Sequence, residues 1–82
     1  MTADEATAII VEAIGRVAPE IDATSIDPRG ELQLEADLDS MDFLHVVEAV
    51  SSVIGRDIAE RDYPQIATLE GFTHYLVETS AS

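Results

Sequence analysis

The sequence predicts an all-α fold: a small four-helix bundle of three longer helices and one short helix, with a long first loop. Three observations carry that prediction. Apolar residues make up 46% of the chain and recur at helical rather than alternating spacing. A capping residue stands ahead of each longer apolar run, and proline or glycine closes two of them. Eighty-two residues form one domain, and a domain this small buries only about 60% of its unfolded-chain surface. We read 1–82 as a single unit with an ordered core of about 3–78.

The first helix is expected from Ala3 to Val17. Ile9, Ile10, Ala13, Ile14 and Val17 make one apolar stripe. Thr2 is the expected N-cap, and Glu5 stands three residues on to close a capping box. Asp4 and Glu5 also suit the positive end of the helix dipole. Pro19 stops the run. Ala18 to Leu38 has no sustained period. A connection of about twenty residues is long for a compact domain, so Ile21, Ile26, Leu32, Leu34 and Leu38 are expected to pin it over the core. Asp27-Pro28-Arg29-Gly30 is a turn signal.

The second long helix is expected from Ser40 to Ile54, ending at Gly55. Asp39 reads as its N-cap and Asp42 as an acidic variant of the capping box. On a helical wheel Phe43, Val46, Val47, Val50, Val53 and Ile54 form one inward arc. Met41, His45, Glu48 and Ser52 fall opposite, with Leu44 on the flank. The stretch Ile58 to Gln65 is polar and broken by Pro64, so it holds only a short helix around Ala59 to Tyr63. Thr68 caps the last helix, Leu69 to Glu78, whose Leu69, Phe72, Tyr75 and Leu76 point inward. Thr79 to Ser82 are expected to fray.

Seventeen acids stand against four arginines and no lysine, for a net charge of −13. That balance excludes phosphate-rich nucleic acid and anionic lipid as partners and favours basic protein surfaces. The absence of cysteine removes disulfides, thiolate metal sites and a cysteine nucleophile together. No basic leader and no apolar run near the roughly 20 residues of a membrane span are present, so a cytoplasmic monomer is expected. No metal site is expected either. Asp37, Asp39 and Glu48 fall at calcium-loop positions, but Asp42 occupies the place that needs glycine. No catalytic residue is expected: His45 lies about 140° around the helix from Ser40 and cannot serve it as a base. Met41, Leu44, His45 and Glu48 form the expected partner-binding face, because apolar groups ringed by acids suit transient docking.

Asp39-Ser40-Met41-Asp42 at a helix start, and Ile66-Ala67-Thr68-Leu69-Glu70-Gly71-Phe72 before the last helix, carry a resemblance to the acyl carrier protein family. It spans roughly Ala3 to Val77. The resemblance implies a non-catalytic carrier. Ser40 would receive a 4′-phosphopantetheine arm from coenzyme A within the frame of Asp39 and Asp42, and the arm's thiol would carry acyl groups as thioesters. It implies two partners, a phosphopantetheinyl transferase and an acyl-loading ligase or synthase with a basic docking surface. It also implies that the bundle interior shelters an apolar acyl chain. The chain departs from the fatty-acid-synthesis type at Asp37, where that type has glycine, at His45, and at Ser51-Ser52, where acids would stand. These departures suit a specialised fatty acid, polyketide or lipid-modifying pathway. The alternatives are an aminoacyl or peptidyl carrier and an unmodified acidic adaptor of the same fold.

Thirteen uncompensated negative charges on so small a body repel one another, and exposed charges are screened over about 10 Å at 0.1 M salt. Raising the salt concentration, or adding millimolar magnesium, is therefore expected to raise the melting temperature. A melting temperature that is equal at low and moderate salt would contradict this.

Overall fold

The apolar stripes and caps read from the sequence place every long helix of the structure. A computed structural model describes residues 1–80, which are all-α, apart from one isolated antiparallel bridge between Glu31 and Thr68. Helix α1 spans Ala3–Val17. Thr2 Oγ1 accepts the Glu5 N–H at 3.1 Å, and Glu5 Oε1 accepts the Thr2 N–H at 3.0 Å. The capping box is thus complete. The bond from the Thr2 backbone, then that from its side chain, holds the Glu5 carboxyl below the usual glutamate range. Ala6, Ile10, Ala13 and Ile14 are buried, and α1 packs on both other long helices.

The long first loop contains local structure that its lack of periodicity hid. Ala23–Ser25 make a 3₁₀ turn capped by Asp22, and Leu32–Glu35 make a one-turn helix, α2. Hydrogen bonds from the Thr24 hydroxyl and backbone hold the Asp22 carboxyl low. The turn at Asp27–Gly30 is present, with Gly30 N–H donating to Asp27 O at 3.0 Å. Ile26, Leu32 and Leu38 are buried and Ile21 packs at the core margin. Leu34 is not a plug: it is 77% exposed. In a single turn Leu32 and Ala36 take the inward side at i and i+4, which leaves Leu34 about 200° away from Leu32.

Helix α3 spans Ser40–Ile54 and ends at Gly55, whose φ of 76° is left-handed and free of the Cβ penalty. Phe43, Val46, Val47 and Val50 are buried as expected, and Ile54 packs at the core margin. Val53 departs from the expected arc and is 56% exposed. It lies on the edge of that arc, beside a small open recess that it shares with Ile9, Ala13 and the exposed Glu12–Arg16 pair of α1.

The short helix after α3 is 3₁₀ and spans Glu60–Ile66, so it passes through Pro64 instead of stopping before it. Proline's fixed φ suits 3₁₀ geometry, and its missing N–H removes only one bond from so short a run. Ile66, fully buried, anchors the far end. Tyr75 O–H donates to Asp62 Oδ2 at 2.9 Å and ties this segment to α4. Burial first, then that bond, pushes the Tyr75 phenol above its usual range.

Helix α4 spans Leu69–Ser80, two residues beyond the expected end. Thr68 Oγ1 caps it by accepting the Gly71 N–H at 2.9 Å. Thr79 is held because Arg56, just past α3, donates to its carbonyl at 2.8 Å and also to its hydroxyl. Positions 81 and 82, also expected to fray, lie outside the described residues. The core centres on Ile10, Ile14, Leu32, Val46, Val50, Ile66, Phe72 and Leu76, all fully buried. Among the described residues no polar side chain is buried.

Backbone bonds tie the first loop to the start of α4. Leu32 N–H donates to Ala67 O at 2.7 Å, and Glu70 N–H donates to Pro28 O at 2.9 Å. The second bond satisfies one of the N–H groups that a helix start leaves unpaired. Gly71 lies on the other side of that start. A Cβ there would meet Gln65 O at 2.4 Å and Thr68 Oγ1 at 3.0 Å. Gly71→Ala is therefore expected to destabilise the fold by about 1–3 kcal/mol. A thermal melt checks this, with a fall of several degrees expected.

Candidate functional site

Ser40 stands at the first position of α3 and is exposed. Two local devices place it. The first is the end of α2. Leu38 N–H donates to Gln33 O at 2.8 Å and Asp37 N–H to Leu34 O at 3.4 Å. Asp37 itself is left-handed, with φ of 51°. These are the two bonds and the left-handed residue of a Schellman turn. Leu38 follows the turn into the core at 6% exposure. The position where the resembled fatty-acid type carries glycine is thus one whose backbone favours glycine, and aspartate is among the residues that tolerate it best.

The second device is the cap of α3. Asp39 Oδ1 accepts the Asp42 N–H at 2.8 Å, and Asp39 O accepts the Phe43 N–H at 2.9 Å. Asp42 does not complete a capping box: among the described residues no return bond reaches the Asp39 N–H. Aspartate is one methylene shorter than the Glu5 that closes the box on α1. With Asp42 and Phe43 N–H used, the N–H groups of Ser40 and Met41 are left facing outward at the positive helix end. No protein hydrogen bond to the Ser40 hydroxyl exists among the described residues.

Around Ser40 the expected partner face is placed as the helical wheel implied. Met41 is 59% exposed, His45 and Glu48 are exposed and Leu44 is half-buried. The sequence missed Leu34, whose exposure follows from the length of α2 and not from its own identity. One turn along α3, Phe43 packs edge-on against Tyr63, with ring centroids 6.1 Å apart and planes at 83°. Both rings line a cavity of about 120 Å³ with Glu31, Gln33 and Ala67. A larger open groove of about 740 Å³ runs past Val47, Ser51, Gly55 and Ile58, beginning about two turns along α3 from Ser40, and Ser40 is not in its lining.

Among the described residues no base is hydrogen-bonded to the Ser40 hydroxyl. His45, five residues on, points to another side of α3, and the cap occupies Asp39. Among the described residues no cluster of His, Cys, Asp and Glu can hold a metal ion, and no helix is long and apolar enough to cross a membrane. Comparison with protein-family models, with curated proteins and with solved structures finds no match.

The cap makes its own prediction. Asp39→Ala is expected to cost about 1 kcal/mol and Asp39→Asn only a fraction of that, because asparagine keeps the accepting oxygen. Chemical denaturation of the two variants beside the parent chain checks the order.

Proposed function

We propose that this chain is an acyl carrier that holds its cargo on a 4′-phosphopantetheine arm attached to Ser40, in a specialised fatty acid, polyketide or lipid-modifying pathway. The observation that carries the reading is the presentation of Ser40: an exposed hydroxyl, without a protein partner among the described residues, at the start of a fifteen-residue helix. The Schellman turn at Asp37 and the cap at Asp39 fix its backbone on both sides.

In the attachment step the Ser40 oxygen attacks the pantetheine-bearing phosphorus of coenzyme A. The phosphoanhydride bond breaks, adenosine 3′,5′-bisphosphate leaves, and the hydroxyl proton passes to a base of the transferase. The chain supplies a fixed acceptor and two outward N–H groups near the new phosphodiester. Because the chain has no cysteine, the arm's thiol would be the sole thiol. The cavity lined by Phe43 and Tyr63, one turn along α3 from Ser40, would offer an entry for the first atoms of an apolar cargo. The reading makes the chain a presenter of substrate, with catalysis left to its partners.

A phosphopantetheinyl transferase with magnesium and coenzyme A is expected to add one arm to the chain, seen by intact mass. Ser40→Ala is expected to abolish the addition with helical content unchanged, since Asp39 keeps the cap. Modification at Ser51 or Ser52, or none with several transferases, would sink the proposal.

A further inference from the structure

We propose that Leu34 of α2 and Met41 of α3 form a two-point apolar contact that seats the enzyme modifying Ser40, and that this enzyme meets them with an apolar depression rimmed by arginine or lysine. The inference rests on the carrier reading and extends it from the α3 face to the first loop.

Only four large apolar side chains stand exposed among the described residues: Met1, Leu34, Met41 and Val53. Two of the four bracket Ser40 in sequence, six residues before it and one after. Leu34 is the most exposed, at 77%. Its position relative to Ser40 is fixed, because its carbonyl accepts the Asp37 N–H and the neighbouring Gln33 carbonyl accepts the Leu38 N–H. Leu32, fully buried, and its bond to Ala67 hold α2 against the bundle. Leu34 is therefore a side chain on a rigid turn and not a loop residue free to fold inward.

Footprint favours the contact. An enzyme that reaches the Ser40 hydroxyl covers about 800 Å² of its partner in a standard interface, on a molecule whose whole surface is 4941 Å². Met41 is the next residue, and the Leu34 carbonyl bonds the Asp37 N–H only three residues before Ser40, so both lie within reach of a patch of that size. Charge selects the occupant. Glu31, Glu35, Asp37, Asp39, Asp42 and Glu48 lie in the same stretch of chain as the pair, and no arginine falls between residues 31 and 54. A second copy of this acidic chain and an anionic bilayer are both repelled. A basic-rimmed protein is attracted, and the apolar pair then adds buried area.

The test is steady-state arm transfer by a broad-specificity phosphopantetheinyl transferase with coenzyme A and magnesium. The substrates are the parent chain, Leu34→Ala, Met41→Ala, the double variant and Val53→Ala. Each of the first two is expected to lower kcat/KM about three- to tenfold through KM, as befits lost burial of one apolar side chain. The double variant is expected to lose more than either, and Val53→Ala to match the parent. The melting temperature of Leu34→Ala is expected to equal that of the parent. Parent-like transfer to Leu34→Ala, or an equal loss in Val53→Ala, overturns this inference alone. So does a Leu34-dependent dimer with unchanged transfer. Failure of the parent chain to take an arm overturns the carrier reading as well.

Discussion

The position of Ser40 depends on two backbone hydrogen bonds that close the first loop onto the start of α4. Leu32 donates to Ala67, and Glu70 donates to Pro28. Without them the loop would be a free tether of about twenty residues, and α2, a single turn, is far below the length at which a helix stands alone. The bonds fix α2, α2 ends in the left-handed turn at Asp37, and that turn delivers Asp39 and Ser40 to the head of α3. The exposed Arg29–Glu70 ion pair beside them adds little, being solvent-screened. Direct backbone pairing, backed by the burial of Leu32 and Leu38, does the holding.

The energetic division of labour is uneven. The interior is entirely apolar among the described residues, so stability comes from burial and not from ion pairs. The charged residues are all on the outside, where seventeen acids oppose one another. Three acids make local bonds as caps: Glu5 on α1, Asp22 on the 3₁₀ turn, Asp39 on α3. Each puts a negative charge at a positive helix end. Asp37 works against this economy, since a left-handed L-residue costs about 1–2 kcal/mol. The two Schellman bonds and the burial of Leu38 offset that cost.

Much of this was legible in the sequence. The bounds of α1 and α3, their caps and the interior face of each follow from period and capping chemistry, which act within a few residues. The site's local frame was legible for the same reason, since Asp39 caps Ser40's helix through a bond spanning three residues. What escaped does not follow from period and capping alone. Leu34 resembles every other loop leucine until the length of α2 is known. Val53 belongs to the apolar arc by its place on the wheel, yet it stands at the arc's edge beside an open recess. Thr79 is held at the end of α4 by its own turn and by Arg56, twenty-three residues earlier. Pro64 reads as a stop, yet a 3₁₀ segment passes through it. Leu34 and Pro64 turn on the type and length of a short helix, and Thr79 gains a contact distant in the chain.

The clamp of Arg56 on Thr79 also fixes where the chain leaves the bundle. Arg56 sits just past the end of α3, and Ser40 sits at its beginning; fifteen residues at 1.5 Å each put about 20 Å between those ends. The last described turn of α4 therefore lies towards the pole remote from the hydroxyl. A carboxy-terminal affinity handle or a surface tether on a sensor chip would orient every molecule with Ser40 outward, a geometry suited to measuring enzyme approach one molecule at a time.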